Sequence, residues 1–108
     1  MTSCKLWDIA VVPFPFVDTP DVKPRPVLLL SNEKFIRENE HAIAAMITSA
    51  MHTRWMGDTE ISDLEIAGLM KPSLIRLKLF TLDLRFITKV IGCLSDKDQK
   101  IFQENFMA

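Results

Sequence analysis

The stretch "PSLIRLKLFTLD", from Pro72 to Asp83, alternates from Leu74 onward. Leu74, Arg76, Lys78 and Phe80 fall on one face, and Ile75, Leu77, Leu79 and Thr81 on the other. A period of two marks a strand with one face in a core and one face out. Arg76 and Lys78 therefore point the same way, about 7 Å apart along the strand at roughly 3.4 Å per residue.

Outward from this strand, the other segments also favour β structure. Trp7 to Phe14, "WDIAVVPF", is rich in β-branched and aromatic residues and bounded by prolines, so it reads as a strand. Pro15–Pro24 reads as a loop, because prolines and aspartates crowd it. Val27–Leu30 is apolar on both faces and reads as a buried strand. "SNEKFIREN" suits a short helical turn, capped by Ser31 or Asn32, with Phe35 and Ile36 facing inward. His41–Ser49, "HAIAAMITS", lacks capping signals and reads as a further strand ending in hydroxyls. "AMHTRWMGD" is an irregular loop turning at Gly57-Asp58, and "TEISDLEIAGL" is expected to hold a short edge strand.

After a turn at Thr81–Leu84, "RFITKVIGCL" gives the last strand. Ser95 then caps a final helix, with Asp96 in the first turn and Asp98 at the capping-box position. Ile101, Phe102 and Phe106 make its apolar stripe. Short strands, irregular loops and one terminal helix predict a mainly β (α+β) fold: a small barrel or bent sheet covered by a helix.

With 108 residues, 48% of them hydrophobic and 25% charged, the chain suits one globular domain, 1–108. The formal charge of −1 makes no global case for nucleic acid, so an anion site must be a local cationic patch. Cys4 and Cys93 have no Cys-x-x-Cys spacing and read as reduced thiols of a cytoplasmic protein, with Cys93 a small buried hydrophobe. No apolar run is long enough for a membrane span. His41 and His52 stand far apart without matching ligand spacing, so no metal or cofactor is expected.

Arg25 stands out because Pro24 and Pro26 flank it. Proline stiffens the backbone on both sides, so the guanidinium loses less freedom on gripping a phosphate. An ordinary surface arginine at a strand end is the competing reading. Thr48 and Ser49 could satisfy loop amides or donate to phosphate oxygens. Arg76 and Lys78 could be a solvated edge or part of a cationic site. His52 is either a plain loop residue or a proton-transfer group.

"WDIAVVPFPF", "RPVLLLS", "ITS", "GLMKPSLIR", "FTLD" and "VIGCLS", in that order, resemble the MazF/PemK-like toxins of type II toxin–antitoxin pairs. The resemblance implies an SH3-like barrel with a C-terminal helix, a homodimer and a cognate antitoxin partner. It also implies a metal-independent endoribonuclease that cuts single-stranded RNA, leaving 2′,3′-cyclic phosphate and 5′-OH ends. By position, Arg25 would hold the phosphate, Thr48 and Ser49 would donate hydroxyl hydrogen bonds, and Arg76 would be a second cationic group. Phe16, Lys23, His52, Trp55 and Lys78 would contact RNA, with the loop Phe16–Lys23 bordering the groove. Some members carry an aspartate on the strand that here reads "RLKLF". This chain has no carboxylate between Ser73 and Asp83, and the general base stays unassigned. Two alternatives remain open: a toxin on the same barrel that poisons a protein such as gyrase, or a homologue that binds RNA or antitoxin without cutting.

Overall fold

The computed structural model describes residues 3–15, 22–51 and 53–107. Six strands form one curled antiparallel sheet: β1 (Asp8–Pro15), β2 (Val22–Leu29), β3 (His41–Ser49), β4 (Thr59–Glu60), β5 (Ser73–Asp83) and β6 (Lys89–Cys93). Their order across the sheet is β4-β5-β3-β2-β1-β6. Among the described residues three α-helices accompany them: α1 (Glu33–Asn39), α2 (Leu64–Ala67) and α3 (Asp96–Met107). This is the mainly β fold with a C-terminal helix expected from the sequence, curled into a half-barrel.

The sheet is apolar on both faces because its central strands alternate between two cores. Ala10, Val12, Val27, Leu29, Ala42 and Ala44 meet Ile36 of α1 on one face. Ile9, Leu28, Ala45, Ile47 and Ile75 meet Ala67 of α2 and Phe102 of α3 on the other. Consecutive apolar residues in β2 are thereby buried on opposite sides, as the run Val27–Leu30 requires.

Strand β2 begins before the expected loop Pro15–Pro24 ends, and it contains both prolines that flank Arg25. The backbone directions explain why they fit. Leu29 accepts a hydrogen bond from Trp7 N, and Leu30 N donates to Ile43 O. Odd-numbered β2 residues therefore bond towards β1 and even-numbered ones towards β3. Within β2 only Val27–Leu29 pair with β3, so the missing N–H groups of Pro24 and Pro26 point where no ladder needs them. Arg25 instead points its backbone at β1, opposite Val12.

Strand β5 departs from simple alternation. Met46 faces Arg76 and Ala45 faces Leu79, so Leu77 and Lys78 are extra residues in a bulge. At the bulge Arg76 is buried and Lys78 is exposed, so the two cations sit in different surroundings.

Other local expectations are refined. Asn32 caps α1 by accepting from Phe35 N, whereas Ser31 Oγ accepts from Ile43 N. Ile36 is buried but Phe35 is exposed. "TEISDLEIAGL" holds the short edge strand β4 and also α2, capped by Asp63 at its start and by Gly68 at φ 75° at its end. Leu84–Phe86 is a 3-10 turn capped by Asp83, so the last strand starts only at Lys89. Cys93, the last residue of β6, is exposed, not buried. In α3, Phe102 is buried while Ile101 and Phe106 stay partly exposed.

Helix α2 lies directly on β6. A Cβ at Gly92 would collide with the backbone of Ile66 and Ala67, and one at Gly68 with Ile91 O. Gly92→Ala is therefore expected to destabilise the protein by roughly 2–3 kcal/mol, the upper part of the overpacking range, since backbone cannot step aside as a side chain can. Chemical denaturation, read as a lowered midpoint at constant m, measures this.

Candidate active site

The sheet register gathers the hydroxyls and Arg25 at one corner. Val27 faces Met46, and Val27 lies in the core on the α1 side. Two residues along each strand, Arg25 and Thr48 share that face and come opposite one another as β2 and β3 part. Strand β5 enters the same corner through Ser73, which pairs with Ser49, and Leu74, which pairs with Thr48.

A cleft of about 450 Å³ opens there. Its walls are Lys23–Pro26 of β2, Ile47–Ser49 of β3 and the segment Leu69–Ser73 leading into β5. Among the described residues the lining contains three cations, Lys23, Arg25 and Lys71, and no carboxylate. A chain with net charge −1 thus has a local cationic patch.

Hydrogen bonds shape the walls. Ala50 N donates to Pro72 O at 3.1 Å, and Ser73 Oγ donates to Lys71 O at 2.9 Å. Ser49 Oγ accepts from Met51 N at 3.2 Å, which turns the chain sharply after β3. Just before the Leu69–Pro72 wall, Gly68 packs closely on Ile91 of β6.

Arg25, Thr48, Ser49 and Lys23 are therefore brought together, as expected. Arg76 is not among the residues lining the cleft. It shares the Arg25 face by register, but its guanidinium is buried against the 53–58 loop. Its Nε and Nη2 donate to the two oxygens of Asp58 at 3.2 and 3.0 Å, and Nη2 also donates to Thr53 O at 2.6 Å. The guanidinium lies 4.6 Å from the centre of the Trp55 ring. Burial raises the Asp58 carboxyl, but the Arg76 hydrogen bonds and the Trp55 amide outweigh it and hold the group below the usual carboxylate range.

Lys78 is exposed in the β5 bulge and does not line the cleft. Trp55 is half-exposed beside Arg76. Phe16 and His52 lie outside the described residues, as does most of the loop Phe16–Lys23. His41 is exposed and its Nδ1 is 2.9 Å from Asn39 O, away from the cleft.

Lys71 is the cleft residue that sequence reading passed over. Its signal was its place in "GLMKPSLIR", immediately before Pro72, where the chain enters β5. Without the β3–β5 register nothing in that stretch ties it to Arg25.

The fold and cleft define a small β-sheet protein with a cationic, hydroxyl-bearing corner suited to a phosphodiester. The sequence profile of the PemK-like, MazF-like toxins of type II toxin–antitoxin systems matches residues 5–108. The chain belongs to that family. Among solved structures it is similar to the Mycobacterium tuberculosis toxin MazF-mt6, with a TM-score of 0.71, 23% identity, and coverage of 91% of this chain and 90% of that one. MazF from Deinococcus radiodurans gives a TM-score of 0.74 at 13% identity, covering 97% and 94% of the two chains. An endoribonuclease from a mycobacterial species, solved in complex with its cognate antitoxin, gives 0.73 at 10% identity, covering 98% and 91%. A comparison with curated protein sequences found no match. Among the described residues, no helix is long and apolar enough to cross a membrane.

Proposed function

We propose that this family member is a metal-independent endoribonuclease acting on single-stranded RNA in the cytoplasm. The observation that carries this reading is the meeting of Arg25 and Thr48 at a cleft to which Lys23 and Lys71 add positive charge. In the reaction the ribose 2′-oxygen bonds to the adjacent phosphorus and the P–O5′ bond breaks. The 2′-OH proton is lost and the departing 5′-oxygen gains one, leaving a 2′,3′-cyclic phosphate and a 5′-OH. Negative charge grows on the phosphoryl oxygens in the transition state, and fixed donors aimed at them lower the barrier.

Arg25 grips the phosphate from a proline-stiffened strand, and Thr48 and Ser49 offer hydroxyl donors. Lys23 and Lys71 hold the neighbouring backbone by charge. Arg76 is left out of this set, because its guanidinium is already taken up by Asp58 and Thr53. The proposed assembly is a homodimer, whose mass light scattering would give, silenced by a cognate antitoxin that covers the cleft.

The test is incubation of the purified protein with mixed-sequence single-stranded RNA in excess EDTA, followed by mapping of product ends. Cuts with cyclic-phosphate ends are expected. A folded protein that arrests growth but cuts nothing would overturn the nuclease reading in favour of a protein target.

A further inference from the structure

The 53–58 loop is held unusually firmly for an exposed segment. Arg76 reaches it at two points, Asp58 and Thr53 O. The loop closes on itself as Trp55 N donates to Asp58 Oδ2 at 2.8 Å and Asp58 N donates to Trp55 O at 3.2 Å. Asn105 of α3 donates to Asp58 O and Thr59 Oγ1, at 3.4 and 2.7 Å. These bonds keep Trp55 over the Arg76 guanidinium while about half of the residue stays open to solvent. The ring gains less from burial than a core tryptophan would, and its contact with the guanidinium favours this orientation.

The ring is also near the proposed chemistry. Arg76 faces Met46 and Leu74 faces Thr48, so Arg76 sits two residues along the strand from the cleft corner, about 7 Å away. It stands on the same face as Arg25. An extended strand whose phosphate lies at Arg25 can therefore bring a flanking base over this loop.

We infer that Trp55 is a stacking platform for a nucleobase of the bound RNA, and that Arg76 and Asp58 are positioning residues that fix its ring. The inference rests on the RNA reading above. Aromatic faces bind bases of any sequence, and a ring immobilised beforehand loses less freedom on binding. Arg76 acts here through Trp55 rather than on the phosphate.

The chain has two tryptophans, and Trp7 is packed against Phe102 with ring centres 6.0 Å apart. A Trp7→Phe background therefore isolates the emission of Trp55. The probe is a short, mixed-sequence 2′-O-methyl oligoribonucleotide, which lacks the attacking hydroxyl and cannot be cut, carrying a fluorescein whose anisotropy reports binding. Binding is expected to quench Trp55. Trp55→Ala should weaken affinity about ten-fold, with Trp55→Phe staying close to the parent. Asp58→Asn should bind more weakly too and speed the decay of Trp55 anisotropy, a change that simple loss of stability would not produce in a still-folded protein.

Oligonucleotide binding with unchanged Trp55 emission and undiminished affinity in Trp55→Ala would overturn the platform while leaving the RNA reading intact. No binding by the parent protein would remove both together.

Discussion

Arg25→Ala should cut RNA about 100- to 1000-fold more slowly than the parent, with unchanged folding. That range is what loss of one preorganised donor to a developing oxyanion typically costs in kcat. The structure supports so large an effect. Arg25 is only half-buried, on a strand whose backbone bonds run to β1, so removing its side chain leaves the ladder with Val12 in place. Lys23 and Lys71 still supply positive charge to the cleft, so RNA should continue to bind and KM should move less than kcat. Arg25→Lys separates charge from geometry. A lysine keeps the charge but not the planar two-point grip, and an intermediate rate is expected. Single-turnover cleavage of a fluorescent oligoribonucleotide measures both variants. Parental cleavage by Arg25→Ala would sink the assignment of Arg25 to the phosphate.

The largest effect on stability is expected at Asp98. This carboxylate is completely buried, and it ties α3 to the segment after β4. It accepts from Ser62 N at 2.9 Å, Ser62 Oγ at 2.7 Å and Asp63 N at 3.2 Å, while its own amide donates to Ser95 Oγ at 3.2 Å. Asp98→Ala strands two amides and a hydroxyl and should cost about 3 kcal/mol. Asp98→Asn can keep an oxygen on the two amides and turn its NH2 towards Ser62 Oγ. Its cost should be nearer 1 kcal/mol. Urea denaturation of the two variants checks the order, and equal losses would show that hydrogen-bond geometry does not matter here.

The same group gives the protein an acid sensitivity of predictable sign. Burial pushes the Asp98 carboxyl up, but the hydrogen bonds from Ser62, Asp63 and Ser95 outweigh it, leaving the group below its ordinary value of 3.8. A carboxyl whose folded value is depressed contributes its stability in full above the unfolded value and loses it as the pH falls through the folded one. Asp98 therefore adds to the loss of stability below about pH 4. In Asp98→Asn the protein should be weaker at neutral pH but lose less on acidification, which denaturation midpoints at several pH values would show.

Much of the fold was legible because its signals are local. "HAIAAMITS" became β3 over the expected residues, since an apolar run without caps and ending in hydroxyls has few other uses. The alternation in Pro72–Asp83 correctly marked a long strand but gave no sign that Arg76 is buried while Lys78 is exposed. A bulge inserts residues relative to the neighbouring strand, and nothing in β5 alone announces it. The prolines of "KPRP" suggested a loop and were found in a strand, because a proline is harmless where a strand has no neighbour on that side. In the candidate site, Arg25, Thr48 and Ser49 were legible as strand-end groups, whereas Lys71 was not.

The strand-rich pattern, the terminal helix capped at Ser95 and a stiffened arginine at the head of an apolar strand are all written in local stretches of the chain. Each depends on residues within a few positions of one another. Only the tertiary structure decided which charged groups are available and which are already engaged. Arg76 meets Asp58 across 18 residues of sequence, and Asp98 meets Ser62 across 36. A charge that looks the same in any local window becomes a buried anchor or an open cleft residue according to the partner the folded sheet brings to it.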